Sequence, residues 1–253
     1  MTIYEMCFSP TGGTKKVADL LAKDLAQDVR MVDLTDSRMD FSGVALTEED
    51  VAVIAVPSYG GRMPVPAAER LAMTKGNGAR AVIVCVYGNR AYEDTLVELQ
   101  DTAKAAGFRV VAAVAAVAEH SIAREFATGR PDAQDQAELH QFAERIHSKL
   151  ASGACDEPEI PGNRPYKKAS GAGMVPKPTK ECVACGLCAA KCPVQAIDAT
   201  DVKEVDSKVC ISCMRCVSIC PHSARKVNGM MLAAVHAMLK KACTTRKNDE
   251  LFC

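Results

Sequence analysis

Eight of the thirteen cysteines stand in two runs of identical spacing. Cys182, Cys185, Cys188 and Cys192 precede Pro193, and Cys210, Cys213, Cys216 and Cys220 precede Pro221. The repeat extends to Lys180 and Lys208 ahead of the runs and to Ala196 and Ala224 behind them. Thiolates so spaced bind metal, and a C-x2-C-x2-C-x3-C-P run suits an iron–sulfur cubane. Three of its sulfurs wrap one cluster and the fourth is directed at another. Zinc is the competing reading, but zinc sites favour two separated C-x2-C knuckles over four ligands in one run.

A second feature lies at the other end of the chain. Ser9, Pro10, Thr11, Gly12, Gly13 and Thr14 place hydroxyls and glycines between an apolar run and an amphipathic stretch. At such a strand-to-helix turn the free N–H groups and the helix dipole attract a phosphate. An ordinary helix cap is the plainer reading. The loop is not a Walker loop, which requires G-x4-G-K-S/T, and the chain has no G-x-G-x-x-G.

These groups need elements to position them. Ile3 to Phe8 and Val29 to Leu34 read as strands. Val51 to Val56, Ala81 to Val86 and Val110 to Val117 are continuous apolar runs, the pattern of parallel strands buried on both faces. Between and after them, Val17, Leu20, Leu21 and Leu25, then Leu96, Leu99, Ala103 and Ala106, then Leu139, Phe142, Ala143, Ile146 and Leu150 recur at helical spacing. Strands alternating with helices predict an α/β fold with a doubly wound, five-stranded parallel sheet. Ligands of such sheets bind beyond the carboxyl ends of the strands. There the third strand leads into Ser58, Tyr59, Gly60 and Gly61, and the fourth into Tyr87, Gly88, Asn89, Arg90 and Tyr92. The expected organisation is a first domain over 1–150 and a Pro- and Gly-rich linker over 151–178 that packs poorly. A cysteine domain follows over 179–228, then a helix with a frayed basic tail over 229–253.

On these residues the chain resembles two families. The loop from Ser9 to Thr14 is similar to the flavodoxin phosphate loop, and the two Tyr-Gly strand ends stand where flavodoxins bracket the isoalloxazine ring. The cysteine runs resemble the two-cluster bacterial ferredoxins. The whole chain looks like the flavodoxin–ferredoxin fusion proteins of anaerobes. The resemblance implies sheet order 2-1-3-4-5, an FMN at the named loops and a small α+β ferredoxin-type domain with two [4Fe–4S] clusters. It assigns one cluster to Cys182, Cys185, Cys188 and Cys220, and the other to Cys210, Cys213, Cys216 and Cys192. Departures are the absence of Trp and the segment 119–131, whose His120, Arg124 and Arg130 have no assigned role.

Composition narrows the function. Formal net charge is zero, which argues against nucleic acid as a partner. The longest strongly apolar run, Val110 to Ala118, is too short to span a membrane, and no leader pattern opens the chain, so a cytoplasmic protein is expected. Residues 1–150 carry 16 Lys and Arg against 21 Asp and Glu, and residues 151–253 carry 15 against 10. That split suggests that the two halves dock on each other. The expected function is electron transfer between FMN and the clusters, with redox proteins as partners. A reductase of a small-molecule acceptor, with Arg90, Tyr92, His120 and Arg124 lining its pocket, is the rival. A flavin-free docking module is the rival of another class. Cys7 and Cys85 read as buried apolar residues, and Cys155, Cys243 and Cys253 as free thiols.

Overall fold

The computed structural model describes residues 2–169 and 173–253; Gly171 of the expected linker lies outside them. The first half alternates β1 (Ile3–Cys7), α1 (Gly13–Leu25), β2 (Val29–Asp33), β3 (Val51–Pro57), α2 (Val65–Met73), β4 (Arg80–Tyr87), α3 (Thr95–Ala105), β5 (Arg109–Val117) and α4 (Ala133–Ala151). The strands pair in parallel in the order β2-β1-β3-β4-β5. Val51 to Val56 of β3 and Ala81 to Tyr87 of β4 are buried throughout, because helices cover both faces of the sheet. α1 and α4 cover one face, with Leu21 and Ile146 in its core; α2 and α3 cover the other, with Leu71 and Leu99. The helical reading of the sequence had no counterpart of α2.

The cysteine domain consists of β6 (Lys177–Pro178), α5 (Leu187–Ala190), α6 (Arg215–Ser218) and β7 (Arg225–Lys226), with β6 and β7 antiparallel. α7 (Gly229–Cys243) and β8 (Glu250–Phe252) complete the chain. The sheet has six strands rather than five, since β8 adds antiparallel to β5.

Two expectations about connecting segments fail. The linker packs closely along α3. Asp94 accepts N–H groups from Asn163 (2.9 Å) and Lys167 (2.7 Å), Asp101 holds Arg164 through two bonds, and Gln100 donates to the Pro158 carbonyl. Its prolines and glycines stop helix formation but leave polar groups that α3 satisfies. The tail is likewise pinned, not frayed. Arg246 bridges Asp132 and Asp135, and Asp249 accepts the Val117 N–H at 2.8 Å.

Asp135 organises that corner. It is fully buried, takes two bonds from Arg130 (2.8 and 2.6 Å) and one from Arg246 (2.6 Å), and closes the capping box of α4 with Asp132. Segment 119–131 thus has a role through Arg130, while Arg124 makes an exposed pair with Glu119. Removing the carboxylate would strip the buried Arg130 of both its close bonds and leave it only Asp249, 3.7 Å away. Asp135→Ala should cost about 3–5 kcal/mol in urea unfolding, with an unchanged denaturant slope.

Candidate functional site

The loop between β1 and α1 is held at both ends. Thr35 Oγ1 accepts the Ser9 N–H (2.7 Å) and Ser9 Oγ accepts that of Lys15 (2.9 Å). Gly12 sits at the helix N-terminus with φ +91°, a conformation glycine adopts without strain. Its carbonyl takes the Lys16 N–H, which leaves those of Gly13 and Thr14 without an internal acceptor among the described residues. Those free donors at the end of a 13-residue helix are what an anionic phosphate needs.

Beside this loop lies a cavity of about 710 Å³, within the range of small-molecule and cofactor sites. Pro10, Thr11, Gly13 and Thr14 line one end. Ser58, Tyr59 and Gly60 come from the end of β3, and Tyr87, Gly88 and Arg90 from the end of β4. His120 packs on Gly88, where a Cβ would lie 2.4 Å from the imidazole ring. Its Nδ1 accepts the N–H groups of Ile122 and Ala123, and burial holds its pKa below the usual histidine value, so the ring is neutral with its proton on Nε2. Val235, Met238, Leu239 and Ala242 of α7, with Lys167 and Met174, close over the top. Nothing in the sequence marked these roof residues beyond the apolar periodicity of α7.

Several expected site residues do other work. Ser9 and Gly12 line a smaller cavity on the other side of the loop. Gly61 is buried against Glu93 and does not line the 710 Å³ cavity. Asn89 has φ +64° and turns away from the cavity; its amide donates to the carbonyls of Cys243 (2.7 Å) and Thr245 (2.9 Å) and accepts from Lys247. Tyr92 stacks edge-on against Tyr87 and donates to Glu250 at 3.1 Å. Asn89 and Tyr92 therefore anchor the tail. Of the four residues assigned to a substrate pocket, Arg90 and His120 reach the cavity, and Tyr92 and Arg124 do not.

The eight cysteines gather into two quartets. Cys182, Cys185, Cys188 and Cys220 line one small cavity, and Cys192, Cys210, Cys213 and Cys216 another. A tetrahedral zinc with sulfur at about 2.3 Å would hold its sulfurs about 3.8 Å apart. No three of these sulfur atoms lie within 4.8 Å of one another. The wider spread suits a cubane, whose ligands bind different irons. Burial, with neighbouring thiolates adding to it, pushes Cys213 and Cys216 up to about 12, protons that metal would displace.

The quartets are held to the sheet domain by arginines bonded to main-chain carbonyls. Arg215 reaches Pro10 O at 3.2 Å, and Arg70 spans Leu34 O and Pro193 O. Ser37 donates to Cys192 O. No ion pair joins residues 179–228 to 1–150 among the described residues; the pairs between the two halves come from the segments on either side, Arg164 with Asp101 and Arg246 with Asp132.

Residues 8–144 match the model of the flavodoxin family, and residues 166–225 that of the 4Fe-4S dicluster domain. The chain belongs to the flavodoxin family. Behind its flavodoxin domain comes a dicluster ferredoxin domain, and the two make it a flavin and iron–sulfur electron-transfer protein. Among solved structures, a flavodoxin from the domain Archaea is 15% identical, covering 60% of this chain and 99% of its own (TM-score 0.42). The flavodoxin of Streptococcus pneumoniae TIGR4 is 22% identical, covering 58% and 97% (TM-score 0.39). That of Megasphaera elsdenii is 18% identical, covering 57% and 99% (TM-score 0.38). Comparison with curated proteins gives no match. Among the described residues no helix is long and apolar enough to cross a membrane.

One buried carboxylate lies beneath the flavodoxin loop. Glu5 is 2% exposed, and burial with Asp19 facing it raises its pKa from 4.5 to about 7, although Lys15 lies 3.6 Å away. Between about pH 4.5 and 7 the folded chain keeps a proton that the unfolded chain has lost, so this group's contribution to stability falls as pH rises through that window. Glu5→Gln should therefore gain more stability over the parent at pH 8 than at pH 5, as read by urea denaturation at the two pH values.

Proposed function

We propose that the chain relays electrons between an FMN in the 710 Å³ cavity and two [4Fe–4S] clusters in the cysteine quartets. One observation carries the reading: Ile211 lines both the large cavity and the cavity of Cys192, Cys210, Cys213 and Cys216. The two sites share a wall one residue thick. Tyr59 lies at the same boundary, where burial and the nearby Cys213 thiolate raise its phenol well above the usual value. The cluster of this quartet is the one next to the flavin, and the cluster of Cys182, Cys185, Cys188 and Cys220 lies behind it.

FMN carries electrons singly or in pairs, and each cluster carries one. The chain's own residues do the rest. Thr11, Gly13 and Thr14, with the loop shape set by Ser9, Pro10 and Gly12, would hold the phosphate. Ser58, Tyr59, Gly60, Tyr87, Gly88 and Arg90 would surround the ring. The α7 residues in the cavity lining favour a carrier over a reductase of small molecules, because they take up wall that an acceptor would otherwise use. Docking of one half on the other makes the relay intramolecular, with further redox proteins as outside partners.

Protein purified anaerobically should contain about eight iron, eight sulfide and one FMN per chain. On rapid mixing with a one-electron reductant, cluster-to-flavin transfer should proceed at a rate independent of protein concentration. A rate proportional to concentration, or four iron per chain, would overturn the relay.

A further inference from the structure

Arg225 is 2% exposed, yet it takes part in no ion pair among the described residues. Its guanidinium donates to two main-chain carbonyls, Pro176 O at 3.0 Å and Val202 O, and its Nε has no acceptor. A guanidinium does not lose its proton to escape burial, and carbonyl dipoles alone do not replace its hydration. A cation so placed calls for a buried anion.

The surroundings identify that anion. Arg225 lines the cavity of Cys182, Cys185, Cys188 and Cys220, as does Val202. Pro176, at the other end of the guanidinium, lines the cavity of Cys192, Cys210, Cys213 and Cys216. The side chain thus lies between the two quartets. The internal repeat sharpens the point. The residue five places after Cys220 is Arg225, and the residue five places after Cys192 is Ile197, a buried aliphatic side chain. The second copy of the repeat has gained a cation that the first does not have.

Resting on the relay reading, we propose that Arg225 is the shared counter-ion of the two clusters and sets their reduction potentials. Each cluster with its four thiolates is an anion. Its reduction adds one electron and no proton or bond, so negative charge grows beside a fixed cation. Arg225 favours the reduced form of both clusters and offsets the repulsion between them. It is a positioning and tuning residue, touching neither reactant nor flavin.

The test is a potentiometric titration of the full, anaerobically reconstituted chain, followed by electron paramagnetic resonance of the reduced clusters. Arg225→Gln keeps a hydrogen-bonding amide and removes the charge. It should shift the equilibrium of each cluster toward the oxidised form at least tenfold, a fall of about 59 mV for a one-electron couple. Arg225→Lys keeps the charge and loses the planar fork, and should stay within about threefold of the parent. Should the Gln variant fail to take up iron while the Lys variant loads fully, the need for charge is shown equally. Loaded Gln protein with unchanged potentials would overturn the proposal, as would a Lys variant that fails along with Gln, since a structural fork would then suffice. A parent chain lacking eight iron would instead refute the relay itself.

Discussion

Ile211 lines both the large cavity and that of one cysteine quartet, so in the proposed relay electrons would cross there. Everything that fixes Ile211 therefore bears on function. The fixing is done by arginines clasping main-chain carbonyls: Arg215 on the flavodoxin loop, Arg70 across Leu34 and Pro193, and Arg62 on Lys167 at 2.6 Å. Five donors on a planar fork let one side chain tie two segments. A carbonyl acceptor keeps its strength at any pH, and it demands one loop geometry instead of any nearby negative charge. The opposite net charges of the two halves act outside the cysteine domain, where Arg164, Lys167 and Arg246 pair with Asp101, Glu93 and Asp132 of the first half.

The same economy governs the cavity. Its floor is the carboxyl edge of the sheet, but its roof is the last helix of the chain. The end of that helix is held by Asn89, next to Gly88, and the strand after it by Tyr92, two residues past Arg90. Site and latch are thus interleaved along one loop. A change in the loop after β4 acts on both.

That interleaving limits what the sequence discloses. The β3, β4 and β5 strands were legible because continuous apolar runs bounded by turn residues suit strands buried on both faces. The cysteine quartets were legible because ligand spacing encodes geometry. β8 was not, since Glu250, Leu251 and Phe252 carry no period and pair only because Arg246 and Asp249 bring them to β5. α2 is nine residues long and enters through Pro64 and Pro66, so its apolar face had too few turns to show. Asn89 and Tyr92 misled because nearness in sequence to Gly88 and Arg90 says nothing of where a left-handed residue sends its neighbours. Arg225 left one trace, the mismatch with Ile197 in an otherwise regular repeat.

β8 has a consequence beyond the latch. β5 is eight residues of Val and Ala behind a leading Arg, and without β8 it would form the outer edge of the sheet. A long apolar edge offers unpaired amides and carbonyls to any other extended chain, the usual start of edge-to-edge aggregation. The three residues of β8 cover its middle, Ala113 to Ala115, in antiparallel register. Being short, they present little edge of their own, and Glu250 adds a charge there. The end of the chain thus acts as a guard on the solubility of the whole.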